Sequence, residues 1–161
     1  MGACMKLIDT ILFFLFLVLA VAAPLMDAQA ILPLKLYPDF LINFNNWYVK
    51  EHGDYLVAEK TPFFVGIIWL ELLFLWPLAL LNMYGIIAAK PWFNTTCLIY
   101  GTSIFTSMVA IVAELIGSGR ASDKLMMIHA PCLGIGLLAI LRGLVPHSGN
   151  TASAMGKRKR A

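Results

Sequence analysis

The 161-residue chain is 60% hydrophobic and only 13% charged, with a mean hydropathy of +0.81, whereas ordinary soluble domains carry about a quarter charged residues. That balance excludes a soluble enzyme, a secreted disulfide-stapled module and a disordered tail, and leaves an integral membrane protein. Lys and Arg exceed Asp and Glu by 12 to 9, but Lys157, Arg158, Lys159 and Arg160 supply four of the positives; the rest of the chain stands at 8 against 9, which argues against nucleic acid as a partner.

Four apolar runs follow one another along the chain, at about 7–25, 63–89, 96–116 and 125–145. Each is long enough to cross about 30 Å of hydrocarbon at 1.5 Å per residue. Strand-like alternation is absent, and helices satisfy their own backbone polar groups, as lipid demands. The expected fold is therefore all-α: a four-helix membrane bundle in one domain over 1–145, with a basic tail over 146–161. The first run also resembles a signal peptide, with Lys6 before it and the triplets Val21-Ala22-Ala23 or Ala28-Gln29-Ala30 as cleavage sites. Its long core, and polar chemistry that begins at Asp27, favour a retained span.

The loop between the first two runs is not an ordinary hydrophilic linker. Phe40, Leu41, Phe44, Trp47 and Tyr48 recur at helical spacings, which predicts a short amphipathic helix, an interfacial anchor or the lid of a cavity. The three cysteines, Cys4, Cys97 and Cys132, are odd in number and lack metal-like spacing, so neither a disulfide framework nor a metal site is expected. No motif for a cofactor occurs.

Placing both termini in the cytosol puts Lys6, Lys90, Arg142 and the tail cluster on that side, against Lys35, Lys50, Lys60, Arg120 and Lys124 on the other. In that orientation the sequon at Asn94 falls in a short cytosolic connection. Lys157 and Lys159 stand at the dibasic spacing of an endoplasmic reticulum retrieval signal; the plainer reading is a basic cluster that attracts anionic lipid.

A carboxylate inside the membrane is a functional candidate by default. Glu71 is one, with apolar residues on both sides, and a neutral, hydrogen-bond-donating acid is expected there. Glu114 lies nearer the end of its run and reaches the interface. Asp27 closes the first span and Asp54 precedes the second; folding back of the loop would bring both to Glu71, where three acids would share protons and attract a cation. The plainer reading leaves Asp27 and Asp54 solvated at the boundary. Pro24, Pro77 and Pro131 break helix ladders and leave room for a cavity. Gly134, Gly136, Ala130 and Ala139 suit close helix packing, and His129 reads as a packing or hydrogen-bonded histidine.

Met26-Asp27-Ala28-Gln29-Ala30-Ile31-Leu32-Pro33, Leu36-Tyr37-Pro38, Trp47-Tyr48-Val49-Lys50-Glu51 with Asp54, and Glu71-Leu72-Leu73-Phe74 with Pro77 resemble the sigma-2 receptor (transmembrane protein 97) family. Its members carry an EXPERA domain and are related to the emopamil-binding sterol isomerase. The resemblance covers nearly the whole chain and is strongest over 26–77; later, Ile99-Tyr100 and Ala130-Pro131 still align. It implies a multi-pass endoplasmic reticulum membrane protein, not an enzyme, whose cavity opens to the bilayer and binds sterols and cationic amphiphiles.

By the same resemblance Asp27 would pair with a ligand amine, Asp54 would hydrogen-bond Asp27, and Glu71 would lie beside them. Met26, Trp47, Tyr48, Tyr100 and Ser107 would help line the pocket. A homodimer and a sterol-transport partner, the Niemann–Pick type C transporter, are also implied, with a role in sterol homeostasis. Three positions depart from the pattern: Leu75 replaces a glutamine, Cys132 a pocket tyrosine, and Ile67 stands where the isomerase has a histidine. The alternatives are a sterol Δ8–Δ7 isomerase-like enzyme, with Glu71 as its acid, and a structural or assembly factor in the membrane.

Overall fold

The computed structural model describes residues 2–145; Lys157 and Lys159 lie outside them. In chain order it comprises α1 (Gly2–Leu25), 3-10 turns at Asp27–Ala30 and Leu34–Leu36, α2 (Asp39–His52), α3 (Tyr55–Glu59), α4 (Pro62–Leu70), a π-helical turn (Glu71–Leu75), α5 (Trp76–Ile87), α6 (Phe93–Ser118) and α7 (Asp123–Leu144). Four stretches are long and apolar enough to span a membrane: Ala3–Ala30, Pro62–Ile87, Phe93–Ser118 and Asp123–Leu144. The protein is an all-α membrane bundle. Its second span starts with Pro62 at a position whose missing N–H costs a helix nothing. The sequon at Asn94 lies in the first turn of α6 rather than in a connection.

Packing departs from expectation at two points. Gly136 does bring α7 against α6, since a Cβ there would sit 3.0 Å from Phe105, but a Cβ on Gly134 would meet nothing within 4 Å. The closest approaches are at Gly101, where a Cβ would lie 2.6 Å from the Ile140 backbone nitrogen, and at Gly143, 2.6 Å from Leu98. These contacts make α6 and α7 the most intimately packed pair. Ala139 is buried between them while Ala130 is exposed.

Proline also joins helices. Pro24 has no N–H to give to the Ala20 carbonyl one turn back, and the Trp76 indole supplies the donor instead, Nε1 to Ala20 O at 2.8 Å. The Pro24 carbonyl accepts from the Tyr37 hydroxyl at 3.0 Å. Pro77 likewise follows the π-turn, in which the Trp76 N–H reaches back to the Glu71 carbonyl. Such one-turn widenings of a helix recur at functional sites.

Two apolar clusters result. Leu12, Phe16, Leu75, Ala79, Phe93, Cys97, Tyr100, Ile104 and Ala139 fill one; Ala30, Tyr55, Leu56, Phe64, Ile68, Ile111, Leu115 and Leu125 fill the other. The segment α2–α3 lies across the end of the bundle beside the second cluster. Gly53 turns the chain between these helices in the left-handed region, φ 66°, where a side chain would be strained.

At the opposite end an ion pair crosses the bundle. The Arg142 guanidinium, 6% exposed, binds both carboxylate oxygens of Asp9, at 2.5 and 3.2 Å, and donates to Asn94 Oδ1 at 2.9 Å. Its planar group also lies over the Phe93 ring, 5.0 Å from the centroid.

Candidate functional site

A cavity of about 360 Å³ lies between the two apolar clusters, taking Leu75 and Ile104 from one and Phe64, Ile68 and Ile111 from the other. Its size is that of a small-molecule site, about 300–1,000 Å³. Asp27 reaches the wall from the turn after α1, Asp54 from the start of α3, and Glu71 from the first residue of the π-turn. Met26, Tyr48 and Ser107 also line it. The three acids therefore share one apolar enclosure, and no Lys or Arg among the described residues lines it. Among the described residues no three His, Cys, Asp or Glu side chains gather closely enough to hold a metal ion.

The acids differ in their attachments. Asp54 is 2% exposed and caps α3, its Oδ1 accepting from the Val57 N–H at 3.1 Å. No hydrogen bond joins it to Asp27. The side chains of Asp27 and Glu71 make no hydrogen bond to another described residue. Burial, reinforced by the charges of Asp54 and then Asp27, pushes the Tyr48 phenol well above its ordinary range.

Trp47 and Tyr100, expected on the wall, are not among its lining residues. Trp47 is 54% exposed on the outer face of α2, packed on Phe44 with ring centroids 5.6 Å apart. One residue along a helix turns a side chain by about 100°, and here that turn carries Tyr48 to the cavity and Trp47 away from it. Tyr100 is buried in the first apolar cluster, edge-on to Phe16 at 4.9 Å. The loop helix thus serves both expected purposes, with Phe44, Asn45 and Tyr48 inward and Phe40 and Trp47 outward.

The sequence reading took His129 for packing or hydrogen bonding and gave Cys132 as the replacement of a pocket tyrosine. His129 and Cys132 enter from α7. Both precede or follow Pro131 closely, and a proline inside a span is a signal for an opened helix face. Beside the cavity, Leu17, Val18, Val21 and Leu25 of α1 with Leu41 of α2 line an apolar recess of about 470 Å³, which shares Met26 and Phe44 with the cavity.

The lid is fastened to the α6–α7 turn by polar contacts. Arg120 pairs with Glu59 and lies over the Tyr55 ring, 4.1 Å from its centroid; Lys124 Nζ pairs with Glu51 at 2.6 Å. Ser122 caps α7 through the Leu125 N–H at 3.1 Å and donates to the His52 carbonyl at 2.5 Å. The Tyr55 hydroxyl bonds Ser118 Oγ at 2.8 Å and Glu114 Oε1 at 3.4 Å, which keeps Glu114 at the rim, outside the cavity.

A four-span helical bundle with a lid over an acid-lined apolar cavity defines the class: a membrane protein built around an enclosed small-molecule-sized site. The chain belongs to the EXPERA (EXPanded EBP superfamily) family, whose model matches residues 40–144. It is similar to the Sigma intracellular receptor 2 of Xenopus tropicalis, 27% identical over 154 residues, covering 88% of this chain and 90% of that protein. It is also similar to the proteins of that name in Homo sapiens and Macaca fascicularis, each 32% identical over 92 residues, covering 56% of this chain and 52% of theirs.

Proposed function

We propose that the chain is a non-enzymatic binding protein of the endoplasmic reticulum membrane, with both termini in the cytosol. It takes sterols, lipid-like molecules and cationic amphiphiles into the acid-lined cavity and serves sterol homeostasis or trafficking. The observation that carries this reading is the make-up of the wall: Asp27, Asp54 and Glu71, apolar surface, and no Lys or Arg among the described residues. A single negative charge in such a place is costly unless a cation joins it. An ammonium on a hydrophobic body supplies that cation and covers the apolar wall. In this reading Asp27, with no hydrogen bond of its own, pairs with the ammonium; Asp54, held by the Val57 N–H, keeps α3 and the wall in place; Glu71 is the protonated neighbour. The relatives named as receptors support the same class of function.

The test is saturation binding of a radiolabelled lipophilic amine of the sigma-2 ligand class to membranes containing the wild type, Asp27→Asn or Asp54→Asn. Asn remains a good helix cap, so Asp54→Asn removes charge without unfastening α3. Loss of saturable binding at normal expression in both variants is expected. Wild-type affinity retained in both would overturn the reading.

One observation favours a second reading, sterol isomerase-like chemistry: Glu71 and His129 line the same cavity, and a carboxylic acid and an imidazole are a usable acid and base. Conversion of a Δ8 sterol by the purified protein, lost in Glu71→Gln, would establish it.

A further inference from the structure

His129 Nδ1 stands 3.0 Å from the Leu125 carbonyl oxygen. A carbonyl only accepts, so Nδ1 carries the proton, and in the neutral ring Nε2 is left with its lone pair. Nε2 makes no hydrogen bond to another described residue, and the ring lines the cavity. The titratable groups that share this enclosure are Asp27 from the turn after α1, Tyr48 from α2, Asp54 from the start of α3, Glu71 from the π-turn and Cys132 from α7 itself; α6 contributes the uncharged Ser107.

We propose that His129 makes cation binding in this cavity proton-linked: the neutral ring permits an ammonium ligand, and the protonated ring competes with it. The inference rests on the cation-binding reading given above. With no Lys or Arg among the described residues on the wall, the imidazolium is the one positive charge these lining residues can generate. It forms where a ligand's ammonium would otherwise be the sole counter-charge to the acids, so proton and ligand exclude one another. Histidine is also the side chain whose charge ordinarily changes between pH 5 and 8.

The experiment is saturation binding of a radiolabelled tertiary-amine sigma-2 ligand, one whose own ammonium stays protonated up to about pH 9, at pH 7.5 and 5.5. The proteins are the full-length wild type, His129→Gln and His129→Arg in membranes. A competing proton should weaken wild-type binding several-fold at pH 5.5 relative to pH 7.5. His129→Gln keeps an acceptor but no titratable group. Whatever its affinity at pH 7.5, it should lose most of the pH effect. His129→Arg, a fixed positive charge, should bind at least tenfold more weakly at pH 7.5. A full pH effect in His129→Gln would assign the linkage to the acids and overturn this proposal while leaving the cation-binding reading intact. A pH-independent wild type would overturn it as well. Absence of saturable wild-type binding at pH 7.5 would instead overturn the cation-binding reading on which it rests.

Discussion

Asp9 and Asp27 stand at opposite ends of the first span, and the chain answers them differently. Asp9 has both carboxylate oxygens on Arg142, and Arg142 has Asn94 and the face of Phe93 as further partners. Asp27 shares a cavity with Asp54 and Glu71, and no Lys or Arg among the described residues lines it. A carboxylate whose counter-charge is built into the chain contributes to assembly of the bundle. One whose neighbours are acids and apolar side chains makes the fold more costly and leaves its counter-charge to come from outside.

Breaking the compensated end should have the largest effect. Removing one partner of a buried ion pair costs about 3–5 kcal/mol, because the other charge stays behind. Arg142→Ala should therefore lower the thermal unfolding temperature in detergent micelles sharply. The double variant Asp9→Leu/Arg142→Met should recover most of the loss. Equal destabilisation in the single and double variants would show that the charges are not coupled.

The uncompensated end should respond in the opposite sense. Asp27→Asn should leave thermal unfolding unchanged or raise it slightly. Its cost should fall on affinity for a cationic amphiphile, by about 2–5 kcal/mol, the usual loss when one member of a buried charge pair is removed. Unfolding of Asp27→Asn at wild-type ligand affinity would invert the comparison.

An uncharged acceptor extends it. Trp76→Phe leaves the Ala20 carbonyl without its donor and should cost about 1–3 kcal/mol, the penalty for a buried unmet polar group. No change in unfolding temperature would mean that another group takes over the carbonyl.

The smallest effects belong to the exposed pairs that fasten the lid. Lys124 and Arg120 hydrogen-bond Glu51 and Glu59 and hold these carboxyls below their ordinary range. A carboxylate lowered in the folded state contributes fully above its ordinary range, near pH 4.3, and the contribution fades as pH falls through the lowered value. The lid should thus be indifferent to pH near neutrality and loosen only in stronger acid. At neutral pH, 1 M salt should speed ligand dissociation by no more than about twofold, since exposed pairs are weak and screened. A tenfold change would show that these pairs govern the lid.

The fold was legible because lipid leaves few choices: four apolar runs of spanning length became four helical spans. Glu71 stood out because an acid amid apolar residues has no ordinary structural role. What stayed hidden depended on partners distant in sequence. Asp9 looked like an interruption and Arg142 like an orientation signal, and only assembly brings them together. Trp76 carried no pattern at all, because its purpose is set by a proline in another helix. Trp47 and Tyr48 were grouped as neighbours, but the turn of about 100° between them takes Trp47 off the wall. His129 was read as packing because one histidine has no spacing to interpret.

The two long-range bonds of the first span also set a timetable. The Ala20 carbonyl meets its indole 56 residues later in the chain, and Asp9 meets its guanidinium 133 residues later. At about 5–20 residues per second of synthesis, the second wait lasts on the order of ten seconds. Until the fourth span emerges, the first must keep its acid hydrated at the edge of the bilayer or protonated. Docking of α7 is therefore the step that lets Asp9 settle, so the fourth span completes the first.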